Sequence, residues 1–169
     1  HNKPDSQEIC FVKDNDYANY VKRHSNASIK EGNFVDTKGN VLGRHKGIVN
    51  YTIGQRKGLG IAFGKPMFVI DINAKNNTVI LGDNKDLFQH NLIAKDVNFI
   101  SIEDIKEPIR VKAKVRYAAK PADATVYKVG QDKIKIVFDE AQRAITKGQS
   151  VVMYDGDKVV GGGIIESSF

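Results

Sequence analysis

Beyond the first thirty residues, apolar and polar side chains along this chain alternate mostly with the period of two that marks β-strands. Near the start, Ile9 to Val12 is a short apolar run. Asp14 and Asn15 follow as helix N-caps, and Tyr17, Tyr20, Val21 and His24 then recur at helical spacing. A short strand carrying Cys10 and an amphipathic helix ending near His24 are predicted, with a linker from Ser25 to Lys30.

From Gly32 the signals are all β. Phe34-Val35-Asp36 and Val41-Leu42 flank Lys38-Gly39-Asn40, a turn in which Gly39 supplies positive φ. Met67 to Ile72 and Thr78 to Leu81 form a second hairpin around Asn73 to Asn77. Between the hairpins runs the glycine-studded basic loop Tyr51-Thr52-Ile53-Gly54-Gln55-Arg56-Lys57-Gly58-Leu59-Gly60. Six further strands are predicted near Val97–Ile102, Ile109–Ala118, Thr125–Val129, Lys133–Phe138, Ser150–Tyr154 and Gly163–Glu166. Gly130-Gln131-Asp132 and Asp155-Gly156 are turns, and Gly161-Gly162-Gly163 marks a bulge or a close backbone approach. Six short strands without a long helix favour a small closed barrel. The chain is therefore expected to be mainly β: residues 1–30 as a strand-helix segment and linker, 31–90 as a small β domain, and 91–169 as a six-stranded β-barrel.

Composition sharpens this picture. At 169 residues and 41% apolar content, the chain can bury one core or two small ones. No stretch is long and apolar enough for a membrane helix, and a lone cysteine with no secretory signal points to the cytoplasm. The net charge is +6, and no acidic residue lies between Asp36 and Asp71, where Lys38, Arg44, Lys46, Arg56, Lys57 and Lys65 fall. Such segregation suits a polyanion, nucleic acid first, although a basic loop that only aids solubility has the same composition. In Ile109-Arg110-Val111-Lys112-Ala113-Lys114-Val115-Arg116-Tyr117, apolar and basic residues alternate strictly. One strand face would show four cations about 6.6 Å apart, close to the spacing of successive phosphates; the same pattern also serves against aggregation.

Cys10 cannot make an internal disulfide, which leaves a packed thiol or a reactive one. The four histidines lack metal-ligand spacing, and the Gly54 to Gly60 loop is neither a Walker A loop nor a dinucleotide fingerprint. If this chain holds a nucleophile, Cys10 is the candidate. A non-enzymatic RNA-binding β module with a structural cysteine, and a ribosome- or protein-binding barrel, remain open on these residues alone.

Three blocks in order resemble one family, the tRNA-uridine 2-sulfurtransferases or tRNA-specific 2-thiouridylases. They are Asp5-Ser6-Gln7-Glu8-Ile9-Cys10-Phe11-Val12; Gly47 to Leu59 with its Tyr-Thr-Ile-Gly-Gln-Arg-Lys-Gly-Leu core; and Val115-Arg116-Tyr117 with Gly148-Gln149-Ser150 and Gly161 to Ile165. The resemblance implies an enzyme that adenylates the wobble uridine of tRNA with ATP and Mg²⁺ and then replaces its C2 oxygen with sulfur. Cys10 would carry that sulfur as a persulfide received from a donor protein, and could form a disulfide with a cysteine of the N-terminal domain. Arg116, Tyr117 and Gln149 would contact tRNA, with Lys114, Gln55, Arg56 and Lys57 added as basic or amide groups on the same modules. The last module would resemble a translation-factor barrel.

The family's N-terminal ATP pyrophosphatase domain, with its Ser-Gly-Gly-Xaa-Asp-Ser-Ser loop, has no counterpart in these residues. The chain is expected to be a central and C-terminal piece that binds no ATP or Mg²⁺ itself and cannot adenylate a base alone. Family members often place Pro before the Gly-Gln pair; Lys147 stands there, so a looser turn is expected under Gln149.

Overall fold

A computed structural model describes Tyr20, Arg23, His24 and residues 29–169. The expected strand around Cys10 lies outside the described residues. Tyr20, Arg23 and His24 are helical, and the Tyr20 and His24 rings stack with centroids 4.1 Å apart, as the four-residue spacing requires. The chain divides into two compact units at Gly82/Asp83.

In the first unit, β1 (Gly32–Val35), β2 (Val41–His45), β3 (Phe68–Asn73) and β4 (Thr78–Gly82) form a sheet of order β2-β1-β4-β3. The two predicted hairpins are both present, and they join through the parallel pair β1 and β4, with Phe34 opposite Val79. Phe34, Val69, Val79 and Leu81 are fully buried, and Tyr51, Leu59 and Met67 from the long loop pack on them. Asp36 closes the first turn by accepting from the backbone N–H of Lys38 and of Asn40, and Gly39 adopts φ 87°. The side-chain bond from Asn40 and these backbone bonds hold the Asp36 carboxyl below its ordinary value.

His45 is a packing residue. It is 1% exposed, with the rings of Phe34 and Tyr51 against it. Its Nδ1 accepts from Gly47 N–H at 3.0 Å, so the proton sits on Nε2, which donates to Asn77 O at 3.1 Å. Asn77, at φ 49°, donates in turn to Glu31 O, which ties the β3–β4 turn to the start of β1.

In the second unit, β5 (Phe88–Phe99), β6 (Ile109–Lys114), β7 (Ala122–Gly130), β8 (Lys133–Arg143), β9 (Ser150–Asp155) and β10 (Lys158–Ser168) close into an antiparallel barrel of order β10-β5-β8-β7-β6-β9. The predicted six strands are all there, but several bounds differ. The first runs over 88–99 instead of 97–102, because only alternate residues such as Leu92 and Ala94 face the core and His90 and Asn91 mask the run. The second stops at Lys114, since Ala119 N–H bonds Arg116 O and turns the chain. The last includes the whole glycine run. A Cβ on Gly161 would lie 2.5 Å from Asn98 O, one on Gly162 2.7 Å from Val151 O, and one on Gly163 2.9 Å from Lys95 O. The glycines therefore let β10 seat between β5 and β9, with bulges on either side. Leu92, Val126, Ile134, Ile136, Phe138, Val151, Met153 and Ile165 fill the barrel.

Among the described residues, no helix is long and apolar enough to cross a membrane.

Candidate nucleic-acid interface

Strand direction brings three of the expected site residues together. β6 pairs with β9 as Lys112 with Tyr154, Ala113 with Met153 and Lys114 with Val152. Arg116 and Tyr117 follow the end of β6, and Gln149 precedes Ser150 at the start of β9. The end of β6 and the start of β9 thus share one rim of the barrel, with the 115–121 and 144–149 segments as adjacent loops.

Arg116 is exposed and forms no ion pair among the described residues. Tyr117 is 71% exposed, and Lys114 Nζ lies 5.2 Å from the centre of its ring. Gln149 is exposed on a turn held at three points: Gly148 N–H bonds Ile165 O, Gln149 N–H bonds Thr146 O, and Ile165 N–H bonds Gln149 O. With Gly148 at φ 82°, Lys147 leaves this turn pinned to β10. The looser turn expected there is not what forms.

The four-cation ladder does not survive intact. Arg110 donates to both carboxylate oxygens of Asp139, at 2.8 and 2.6 Å, and to Thr125 Oγ1 at 2.9 Å. Lys112 lies 3.0 Å from Asp123, its direct partner on β7. Arg116 sits beyond the strand, in the turn. The hydrogen bonds from Arg110 hold the Asp139 carboxyl below its ordinary value, and Asp139 raises Arg110 in return. The acids come from β7 and β8, 11 and 29 residues further along the chain, so the alternation within β6 gave no sign of them.

In the first unit, the 51–60 loop is fixed to β3: Gly54 N–H bonds Val69 O at 2.7 Å and Val69 N–H bonds Gln55 O at 2.9 Å. Gln55 braces the loop from inside, accepting from Thr52 N–H and donating to Lys57 O, each near 3 Å. Its amide is thus engaged within the loop, while Arg56 and Lys57 are exposed at the tip. All six cations of the basic segment are exposed, although Arg44 lies 3.6 Å from Glu31. Cys10 lies outside the described residues.

Residue-level reading of the sequence passed over a cleft of about 600 Å³ in the second unit, between the 115–121 loop and the outer end of β8. It opens because β8 loses its partner β7 after Phe138, pairs on with β5 as far as Arg143, and bulges between Val137 and Gln142. Phe88 at the start of β5, exposed to 41%, lines it together with Arg116, Lys120 and Arg143. Among the described residues, no group of three or more His, Cys, Asp or Glu is placed to hold a metal ion.

Residues 18–83 match the tRNA methyl transferase PRC-barrel domain, and residues 89–165 match the aminomethyltransferase β-barrel domain. The tRNA-specific 2-thiouridylase MnmA of Clostridioides difficile (strain 630) is 79% identical over 168 residues, 99% of this chain and 46% of that protein. The protein of that name from Acetivibrio thermocellus is 62% identical over 97% of this chain and 46% of its own length. One from Clostridium botulinum (strain Okra) is 58% identical over 98% of this chain and 47% of its own length. The chain thus spans about half the length of the curated relatives it matches. With two domains matched in order and alignments running nearly end to end, the chain belongs to the tRNA-specific 2-thiouridylase family, of which it carries the central and C-terminal domains.

Proposed function

We propose that this chain is the tRNA-docking and sulfur-carrying part of an enzyme that 2-thiolates the wobble uridine of tRNA. The observation that carries the reading is the gathering of Lys114, Arg116, Tyr117 and Gln149 at one rim of the barrel, in a chain whose relatives are named for this reaction. Exposed cations on two β modules supply a salt-dependent hold on the phosphate backbone, and Tyr117 and Gln149 supply stacking and amide contacts.

Cys10 carries the sulfur. A persulfide ionises more readily than a thiol, whose reference pKa of about 8.5 leaves it mostly protonated at neutral pH. The terminal sulfur attacks C2 of the activated uridine, and AMP departs with the oxygen. A second cysteine then attacks the Cys10 sulfur, which releases the thiolated base and leaves a disulfide to be reduced. That cysteine, the ATP and the Mg²⁺ belong to the part of the enzyme outside this chain, and a persulfide donor protein reloads Cys10.

The test is Cys10→Ser in the full-length enzyme, with 2-thiouridine measured in tRNA. Thiolation falls to background with tRNA affinity kept; retained thiolation rejects the assigned role.

A further inference from the structure

We propose that the cleft beside Arg116 is a nucleotide subsite, in which an unpaired base of the bound RNA stacks on Phe88 while its phosphate meets Arg116 and Lys120. The inference rests on the tRNA-docking reading above and adds to it a site and an uncharged contact residue.

Phe88 is an aromatic side chain exposed to 41% at the cleft. Its backbone is fixed: its N–H bonds Lys85 O, and it pairs with Arg143 on β8. An aromatic ring held this way is a platform for a base, since every base offers a π-face. Val115, Ala119, Pro121 and Ala141 extend the apolar lining.

The charge around the cleft also fits. Asp123 and Asp139 line it, but Lys112 and Arg110 already pair with them from outside the lining. Glu140 is then set against the cations Arg116 and Lys120, leaving the cleft net positive. About 600 Å³ lies within the range of small-ligand sites and accommodates a nucleotide unit with its solvent. Gln142 donates its Nε2 to Glu140 O, which keeps its carbonyl oxygen available to a base edge. An acidic or apolar peptide would leave either Arg116 and Lys120 or Phe88 without a counterpart.

The experiment measures affinity of the full-length protein for transcribed substrate tRNA at several salt concentrations, for wild type, Phe88→Ala, Phe88→Trp and Arg116→Ala. Phe88→Ala is expected to bind roughly tenfold more weakly, as loss of one base–aromatic stack implies, with its salt slope unchanged. Phe88→Trp is expected to keep wild-type affinity or better. Unchanged affinity in Phe88→Ala overturns the subsite, and so does equal loss in the alanine and tryptophan variants, which would mark Phe88 as packing. If Arg116→Ala weakens binding while Phe88→Ala does not, docking stands and the subsite falls. If wild type binds no tRNA, both fall.

Discussion

Asp139 on β8 accepts both terminal nitrogens of Arg110 on β6, at 2.8 and 2.6 Å, across the intervening strand β7. This bidentate pair takes Arg110 out of the set of cations free to meet a phosphate, while Arg116, six residues on, has no such partner among the described residues. The two arginines look equivalent along the strand and are not.

Arg116→Ala should therefore weaken tRNA binding and lower the slope of log affinity against log salt by about one unit. Arg110→Ala should leave that slope unchanged while lowering affinity, because it exposes the negative charge of Asp139. Removing both partners, Arg110→Ala with Asp139→Ala, should restore wild-type affinity. Filter binding across a salt series checks all three, and a slope change in Arg110→Ala would place that residue at the RNA.

The internal brace made by Gln55 yields a different prediction. Its amide links Thr52 N–H to Lys57 O, so Gln55→Ala removes the tie that holds the tip carrying Arg56 and Lys57. Trypsin should then cleave after Arg56 or Lys57 several-fold faster under native conditions, as expected when a local opening becomes cheaper. Cleavage at the wild-type rate would show that the bonds to Val69 alone keep the loop closed.

The parts of this fold legible in the sequence were the ones fixed locally. Gly39, Asn77 and Gly156 take the positive φ that their hairpin turns need, and the alternation from Ile109 to Lys114 is read correctly as a strand with Val111 and Ala113 inward. The misreadings concern relations between strands. Phe88 to Asn91 holds polar residues that hid a strand formed by pairing with β8 across a bulge. Asp123 and Asp139 neutralise Lys112 and Arg110 only once β7 and β8 lie beside β6. Likewise, Arg116, Tyr117 and Gln149 were suggested by resemblance, whereas their shared rim follows from the β6–β9 register. Phe88 carried no motif at all; its role in the cleft depends on where β8 bulges away from β5.

Closure of the barrel depends on the glycines of β10, and Gly161→Ala tests it. The added Cβ would sit 2.5 Å from Asn98 O and 3.0 Å from Phe99 Cα, both backbone atoms that cannot swing aside. Overpacking of this kind costs about 1–3 kcal/mol, which for a domain of this size lowers the melting temperature by several degrees. Gly148→Ala, with open space around its Cβ but φ 82°, should cost less, through backbone strain alone. Thermal unfolding of the two variants side by side distinguishes clash from strain, and equal losses would argue against the close approach of β10 to β5.

Acid should weaken the barrel through three surface carboxylates. Hydrogen bonds from Lys128 to Asp104, from Arg110 to Asp139 and from Lys133 to Glu166 each hold the acid below its ordinary value, 3.8 for Asp and 4.5 for Glu. A carboxyl with a lowered folded-state value binds fewer protons folded than unfolded. Its contribution is therefore present above the ordinary value and is lost as pH falls through and below it. Stability measured by urea unfolding should hold between pH 7 and 5 as far as these groups are concerned, then decline below about pH 4.5. The triple variant Asp104→Asn, Asp139→Asn, Glu166→Gln should start lower at pH 7 and decline less steeply, so that the gap to wild type narrows as pH falls toward the lowered folded-state values of the three acids. Asp104 and Asp139 are exposed and Glu166 is half-buried, so added salt should shrink the difference at pH 7. A triple variant that tracks wild type in parallel down to pH 3 would show that the acid dependence arises elsewhere.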